Sequence, residues 1–405
     1  MRVFVGIYNY AQENIINVEA HKKTMYDAML KGLMEAGNDV LCIDCASYKK
    51  DSIPQSLKYK IIGFDPDVCI ICNFGFWDLT EIVDCPIVLF DVDSINHMGM
   101  ATMSMLRNTL DRYKIILSSD VDVQTCKDKL GAKDSQVFVS PLFIDSGVST
   151  VKEDKSINIL YFGENKTSEG CKELVGFLSS NPTIEERVIA DDILEEFIKD
   201  PMMEFILEPD TIKCKVWRKM KVANREKTTS VLFGASKLEF LSYITELGLT
   251  IKGTRWFEES IYYHPELAIA AKNHRNYSYN SIENVLNDSK VCLYFNEGPY
   301  VRGEYLRILE MLSSSSCLVA QKGGKHDWLL EKAGVPLFET KEELYDACKN
   351  LLANEKKRVA IVRKANKVVK QGFTIDKFLE VLNKATGLHV GGSAKELVII
   401  NEAEL

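Results

Sequence analysis

The sequence predicts an α/β protein that contains doubly wound parallel sheets. Short apolar runs recur along the 405 residues, and most are separated by segments with helical periodicity. In the clearest unit, the apolar run Val291–Phe295 is followed by a Gly-Pro turn, an amphipathic helix and a second run, Cys317–Ala320. Two parallel strands need a crossover of this kind, so the alternation of strands and helices predicts parallel sheets.

Six apolar runs near the N-terminus are interpreted as the strands of a first sheet. They are Arg2–Ile7, Val40–Asp44, Val68–Cys72, Ile87–Asp91, Lys114–Ser118 and Gln136–Val139. A helix near Ala20–Ala36 is expected to end at Gly37, and further helices are predicted near Met100–Arg112 and Val121–Leu130. Together these elements predict an N-terminal domain over residues 1–145.

A polar stretch, Pro141–Ser156, is interpreted as the linker to a second α/β domain at 157–370. Its first strand is Asn158–Gly163, and a later strand, Leu249–Gly253, follows a helix at Leu238–Leu247. The predicted closing helices are Lys341–Leu352, Lys356–Val369 and Gly372–Leu382. The run Leu397–Ile400 resembles a strand but has no assigned place.

Charge and hydropathy exclude several classes of protein. The net charge of −8 argues against nucleic acid as the main partner. No apolar run approaches the roughly 18 residues of a membrane span. The first ten residues, MRVFVGIYNY, read as a strand rather than as a secretory signal. A cytoplasmic location is therefore expected.

Two cysteine pairs, Cys42 with Cys45 and Cys69 with Cys72, have the C-x-x-C spacing of zinc ligands. Both pairs lie inside predicted strands. Residues three apart in a strand point to opposite faces, so one pair is poorly placed to chelate one ion. The cysteines are interpreted as small hydrophobic residues of a buried sheet, and no metal site is predicted.

The most informative candidate site lies at the carboxyl end of the strand Val291–Phe295. Open α/β sheets bind ligands at this end of their strands. The turn Asn296–Tyr300 leads into a helix whose first N–H groups and dipole favour a phosphate. The backbone around Gly298 and Tyr300, together with Arg302, is therefore predicted to bind an anion.

Arg307, Glu310 and the strand after them resemble the nucleotide-sugar signature of GT-B glycosyltransferases, most closely the branch of the CgeB-type spore-maturation proteins. That branch has an Arg-x-Phe-Glu core and a small-residue turn. Here Leu309 replaces the Phe, and Ser315 replaces the Gly that commonly ends the helix. The resemblance implies two Rossmann-like domains that face each other across a cleft. It also implies a C-terminal helix that returns to the N-terminal domain within 371–405.

The resemblance further implies a glycosyltransferase of the hexosyltransferase type with a nucleotide-diphosphate-sugar donor, for which UDP is the default nucleotide. No metal and no cofactor are expected. The acceptor is a glycan, a lipid-linked glycan or a protein, and a lipid-linked acceptor would bring peripheral contact with a membrane. The oligomeric state is not assigned.

The resemblance also assigns roles to single residues. Glu310 is expected to accept hydrogen bonds from the ribose hydroxyls, and Arg302 or Arg307 to contact the diphosphate, with Lys166 and Arg225 as weaker candidates. Tyr277 or Tyr279 could stack on the base. Retaining relatives often carry a second Glu where this chain has Arg302, so a retaining outcome is not assigned.

The general base is expected in the N-terminal domain. Asp93 and His97 follow the fourth strand at its carboxyl end and are the leading candidates, while Glu13 and His21 flank the first loop. Asp93 also suits a helix cap, and a lone His is more often a packed or surface residue.

Three alternative functions are weighed against this one. A nicotinamide-dependent oxidoreductase is disfavoured because the first βα turn lacks Gly-x-Gly-x-x-Gly. The second alternative is a GT-B epimerase, or a phosphorylase that uses Lys166 or Lys252 for pyridoxal phosphate. The third is a catalytically inactive nucleotide-sugar-binding module, which Leu309 and Ser315 make plausible.

Overall fold

The structure of the chain is a computed structural model. It describes residues 1–8, 19–45, 53–73, 78–91, 100–120, 122–144, 154–163, 176–199, 211–220, 237–253, 264–271, 279–296, 304–323, 326–392 and 396–401. Two compact units divide the chain. The first contains Met1–Gly147, Arg302–Leu309 and Val369–Leu405, and the second contains Val148–Val301 and Glu310–Val368. The predicted domain boundaries at 145, 157 and 370 stay predictions.

The strands of the described residues are all short. They are β1 (Arg2–Tyr8), β2 (Asp39–Cys45), β3 (Val68–Cys72), β4 (Ile87–Asp91), β5 (Tyr113–Leu117), β6 (Val137–Val139), β7 (Ile157–Phe162), β8 (Leu249–Lys252), β9 (Ser289–Tyr294), β10 (Cys317–Gln321), β11 (Leu337–Phe338) and β12 (Leu397–Asn401). The predicted strands are confirmed to within two residues at each end.

The principal helices alternate with these strands. They are α1 (Glu19–Glu35), α2 (Gln55–Phe64), α3 (Leu79–Ile82), α4 (Met100–Asn108), α5 (Asp122–Leu130), α6 (Ile184–Lys199), α7 (Ile212–Lys219), α8 (237–243), α9 (Pro265–Ala270), α10 (Tyr279–Asp288), α11 (Glu304–Ser313), α12 (Asp327–Ala333), α13 (Lys341–Ala353), α14 (Glu355–Gly372) and α15 (Ile375–Thr386). The last helix begins at Ile375 rather than Gly372, because α14 continues to Gly372.

The first unit contains a seven-stranded sheet with the order β12-β2-β1-β3-β4-β5-β6. Every pair in it is parallel. All five residues of β3 and all five of β4 are buried, which explains their continuous apolar runs. The strand order reverses at β1, which pairs with both β2 and β3.

The C-terminal tail completes this sheet. β12 pairs with β2 in parallel, with Leu397 opposite Val40. Just before it, the Gly392 N–H donates to the Ala36 carbonyl oxygen at 2.9 Å, so the tail also contacts the end of α1. The strand-like run near residue 397 therefore has a defined place, which local sequence patterns could not assign because its partner is more than 350 residues away.

Helix α15 also packs within the first unit. Phe378, near its first turn, is fully buried and lies with its ring centroid 4.8 Å from that of Phe90 on β4 and 5.0 Å from that of Phe143. Three aromatic rings at these separations stabilise the position of the helix, because they bury a large apolar area and interact favourably with one another. The helix is thus held against the first sheet.

The second unit contains a five-stranded parallel sheet with the order β11-β10-β9-β7-β8. β7 is the strand at which the order reverses, since it pairs with both β8 and β9. Ligands of doubly wound sheets bind beyond the carboxyl ends of strands around such a reversal. Within the described residues, no helix combines the length and apolar character that a membrane crossing requires.

Candidate functional site

The carboxyl edge of the second sheet is formed by the last residues of β7, β8, β9 and β10. Between β7 and the outer strand β8, the Gly163 N–H donates to the Lys252 carbonyl oxygen at 2.9 Å. A Cβ at Gly163 would lie 2.6 Å from the Tyr161 hydroxyl oxygen, so this position has no room for a larger side chain. The backbone at this edge is therefore closely packed.

Asn296 fixes the start of the segment that follows β9. Its backbone N–H donates to the Gln321 side-chain oxygen at 3.2 Å. Its side-chain amide donates to the carbonyl oxygens of Gln321 at 3.3 Å and Lys322 at 3.2 Å. Asn296 is buried, so these hydrogen bonds satisfy groups that have little access to water. The exit of β9 is thereby tied to the exit of β10.

Helix α11 carries the two residues of the predicted signature that the structure describes. Leu306, Ile308 and Leu309 are fully buried. Arg307 is only 6% exposed, an unusual burial for a guanidinium. Glu310 follows three residues later and is partly exposed, so both side chains lie on the same face of the helix.

The end of α11 is built from serines rather than from a left-handed glycine. The hydroxyls of Ser313 and Ser314 donate to the carbonyl oxygens of Glu310 and Met311 at 2.9 and 2.8 Å. Ser315 donates through its N–H to the Asn287 side-chain oxygen at 2.9 Å. Positive φ angles among the described non-glycine residues occur elsewhere in the chain. Ser315 therefore replaces the expected glycine without adopting its left-handed conformation.

Lys155 completes this helix end. Its ammonium group donates to the Ser315 carbonyl oxygen at 2.5 Å, to the Ser315 hydroxyl at 3.0 Å and to the Ser289 carbonyl oxygen at 2.9 Å. Burial lowers the pKa of Lys155 to about 8. Ser289 begins β9 and Ser315 precedes β10, so the C-terminal end of α11 is fixed at the amino ends of both strands.

Lys237 is a buried cation that the sequence interpretation missed. It begins the described part of α8, is 7% exposed, and places Nζ 5.5 Å from the ring centroid of Tyr161 on β7. Tyr161 in turn meets Phe295 at the end of β9, with ring centroids 5.6 Å apart. In the sequence, the only indication that Lys237 is buried is its position as a single lysine inside the apolar segment 232–244.

Lys252, the last residue of β8, is a second cation at this edge. It is partly buried, and the resulting desolvation lowers its pKa. The register pairs Lys252 with Phe162, whereas Tyr161 pairs with Ile251. Alternation along a strand therefore places Lys237 and Lys252 on opposite faces of the second sheet, close to its carboxyl edge.

Most of the predicted site residues lie outside the described residues. These are Lys166, Tyr277, Gly298, Tyr300 and Arg302 of the donor site, and Asp93 and His97 as candidate bases. The last described residue before the candidate bases is Asp91, which ends β4 and is 2% exposed. The basic segment 213–227 was interpreted chiefly as a solvated helix face. In its described part, Lys213 and Lys219 pair with Glu196 and Glu186 on α6.

The described parts of the chain hold no cluster of three His, Cys, Asp or Glu side chains that could bind a metal ion. Cys42 on β2 and Cys69 and Cys72 on β3 are buried strand residues, in keeping with their interpretation as small hydrophobic side chains.

Residues 235–383 match the family model described as "Glycosyl transferase-like". This region contains β9, α11 and β10, with Lys237, Arg307 and Glu310. No curated protein matches the chain. The match to the family model shows that this chain contains a glycosyl transferase-like domain. Membership of the CgeB-type branch stays a prediction.

Solved structures resemble the whole chain. WaaG, a glycosyltransferase involved in lipopolysaccharide biosynthesis, is 10% identical with a TM-score of 0.52, over 96% of this chain and 100% of WaaG. Anabaena Alr3699/HepE in complex with UDP and glucose is 12% identical with a TM-score of 0.49, over 96% and 100%. The likeness to WaaG and the two parallel sheets confirm the predicted α/β fold of the GT-B class.

Proposed function

We propose that this protein is a glycosyltransferase that transfers a sugar from a nucleotide-diphosphate-sugar donor to a glycan, lipid-linked or protein acceptor. The observation that carries the proposal is the position of α11. It follows β9 in the glycosyl transferase-like region, carries the buried Arg307 and the partly exposed Glu310 one turn apart, and is fixed at its C-terminal end.

The donor diphosphate needs stabilisation of the negative charge that grows as the glycosidic bond breaks. The amino end of α11 supplies free N–H groups and the positive end of the helix dipole. The proposed backbone donors are Gly298 and Tyr300, and the proposed cations are Arg302, Arg307 and Lys166. A cation in a site of low dielectric interacts more strongly with a phosphate than one in water does. The burial of Arg307 supports this role.

Glu310 is the proposed ribose ligand. Its carboxylate can accept hydrogen bonds from both the 2′ and the 3′ hydroxyl groups of the nucleotide. Partial exposure leaves it accessible to a ligand, while the serine-rich end of α11 restrains the helix on which it stands. Tyr277 is proposed to stack on the base, with Tyr279 as the alternative.

The acceptor hydroxyl must lose a proton as it attacks the anomeric carbon. Asp93 and His97 are the proposed bases, because they follow β4 at the carboxyl edge of the first sheet. No metal step is required, since the helix terminus and the cations carry the leaving-group charge. A hexosyl group and UDP are the proposed donor chemistry. The T4 phage BGT and Anabaena HepE structures, solved with UDP-glucose, provide the precedent for testing UDP-sugars first.

A second candidate is a nucleotide-sugar-binding module without turnover, which Leu309 and Ser315 favour because both depart from the expected signature. An epimerase of the same fold is the third. A panel of nucleotide sugars separates the three. Release of free nucleotide that requires an acceptor indicates a transferase, and interconversion of donors without an acceptor indicates an epimerase. A thermal shift with nucleotide but no turnover with any acceptor would overturn the proposal in favour of the module.

A further inference from the structure

Two cysteine thiols meet at the amino edge of the first sheet, far in the sequence from the proposed donor site. The sulfur atoms of Cys69 and Cys85 lie 3.5 Å apart. Cys69 is on β3, and Cys85 is in the segment between α3 and β4. The Cys69 N–H also donates to the carbonyl oxygen of Pro86 at 3.0 Å, so the two backbones are direct neighbours.

We propose that Cys69 and Cys85 form a reversible dithiol–disulfide site, in which Cys85 reacts first with a peroxide and Cys69 then closes the bridge. The register of β3 and β4 pairs Cys69 with Ile87, two residues beyond Cys85, and all three side chains belong to the same apolar cluster on one face of the sheet. The sulfurs need to approach by less than 2 Å to reach the bonded distance of about 2.05 Å.

The two thiols differ in exposure and in pKa, as a site with one reacting and one bridge-closing thiol requires. Cys85 is partly exposed, whereas the eight other cysteines with described side chains are all buried. The hydrogen bond between the two sulfur atoms lowers the pKa of Cys85, partial burial acts in the opposite direction, and the charge of Arg112 adds a smaller lowering. Burial raises the pKa of Cys69, so Cys85 is the thiol of the pair that loses its proton first.

Arg112 also holds the segment that carries Cys85. Its guanidinium donates to the carbonyl oxygens of Thr80 at 3.0 Å and Val83 at 2.6 Å. These two hydrogen bonds fix the chain just before Cys85 and keep a positive charge near the pair. The reactive thiol is therefore positioned by the fold and does not depend on a mobile surface loop.

The chemistry balances with hydrogen peroxide as the oxidant. The Cys85 thiolate attacks one peroxide oxygen, the O–O bond breaks, and a sulfenic acid and hydroxide form. The Cys69 sulfur then attacks the Cys85 sulfur, the S–O bond breaks, and the Cys69 proton leaves with the departing oxygen as water. Overall, two thiols and one peroxide give one disulfide and two waters. A dithiol reductant reverses the bridge by exchange.

Peptide mapping tests the proposal on the whole chain. Trypsin leaves Cys69, Cys72 and Cys85 in one peptide, residues 61–107, because this stretch contains no internal Lys or Arg. A second cleavage after Glu81 separates Cys85 from the other two. The reduced protein is treated with hydrogen peroxide, its remaining thiols are blocked under denaturing conditions, and the peptides are analysed without reduction.

The expected result is a disulfide between peptides 61–81 and 82–107, with a loss of two thiols per chain that dithiothreitol reverses. The bridge should disappear in Cys69→Ala and persist in Cys72→Ala, a matched control on the same buried strand. Cys85 found only as sulfinic or sulfonic acid, a bridge that follows Cys72, or no reaction at Cys85 would each overturn the proposal. If a variant fails to fold, fragmentation of the linked wild-type peptides between residues 69 and 72 shows which of the two cysteines forms the bridge. None of these readouts depends on sugar transfer.

Discussion

The backbone N–H of Asn296 donates a hydrogen bond to the side-chain oxygen of Gln321 at 3.2 Å, which joins the carboxyl ends of β9 and β10. The Asn296 side chain adds two hydrogen bonds to the backbone beyond β10. The proposed phosphate-binding turn begins at this residue. The joint therefore fixes the point at which the chain leaves the second sheet and enters the proposed phosphate-binding turn.

Replacing Asn296 by alanine removes both side-chain hydrogen bonds and leaves their carbonyl acceptors short of a partner. We expect a loss of about 1–2 kcal/mol in the free energy of unfolding, measured by urea denaturation. Gln55→Ala, at an exposed position of α2, is the control and should change stability by less than about 0.5 kcal/mol. Equal stability of Asn296→Ala and wild type would show that the two side-chain hydrogen bonds of Asn296 do not stabilise the folded protein.

Replacing Ser315 by glycine, the residue that commonly ends this helix in the resembling family, tests the serine-rich helix end. Ser315→Gly removes the hydroxyl that donates to the Asn287 carbonyl oxygen at 3.1 Å and accepts from Lys155 at 3.0 Å. We expect a destabilisation of about 1 kcal/mol, although glycine is the residue expected at such a helix end. A double-mutant cycle with Lys155→Met should show coupling between the two changes. A stabilised Ser315→Gly protein would mean that this helix end prefers a left-handed residue.

Lys155 should give stability an unusual pH dependence. Its pKa falls from 10.5 to about 8 on folding, so the unfolded chain binds more protons between these values. The contribution of Lys155 to stability is therefore lowest below about pH 8 and rises as the pH approaches 10.5.

The comparison of wild type with Lys155→Met isolates this effect. The difference in unfolding free energy should rise in favour of wild type by on the order of 1 kcal/mol between pH 7.5 and 9.5, after a discount for partial exposure. Lys356→Met, at an exposed position of α14, controls for the loss of one positive charge. A difference that is constant or falls with pH would contradict the assigned burial.

The docking of the tail can be tested at Gly37. This residue has φ of +84°, and a Cβ there would lie 1.7 Å from the Gly392 carbonyl oxygen. Gly37→Ala should cost more than about 2 kcal/mol, because it adds a clash to the strain of a left-handed alanine. Gly131→Ala is the matched control, with φ of +75° and no atom within 4 Å, and should cost only about 1–2 kcal/mol. Equal losses would show that the tail does not occupy this position.

The sequence predicted the strands well because buried parallel strands appear as continuous apolar runs, as in β3 and β4. It could not place β12, whose hydrogen bonds to β2 depend on a distant part of the chain. The resemblance predicts site roles for Arg307 and Glu310, and these stay predictions. The burial of Lys237 was missed, since a lysine in an apolar segment does not reveal that Tyr161 will lie beside it. The sequence showed Ser315 where the family commonly has a glycine, but it did not reveal that hydrogen bonds of Ser313, Ser314 and Ser315 hold this helix end.

We propose that Glu310 binds the ribose of a nucleotide-sugar donor, and calorimetric titration tests this role directly. Wild type and Glu310→Gln are each titrated with UDP and with UDP that lacks the 2′ and 3′ hydroxyls. If another nucleotide binds more tightly, that nucleotide and its dideoxy form are used instead. Glu331→Gln on α12 is the control.

We predict that removing the hydroxyls weakens binding to wild type by about 10-fold to 100-fold, as expected for hydrogen bonds to a charged group. Glu310→Gln should lose a similar factor with UDP and little more with the dideoxy form, because both changes remove the same interaction. If the two losses simply add, or if Glu310→Gln binds UDP as tightly as wild type, Glu310 does not bind the ribose.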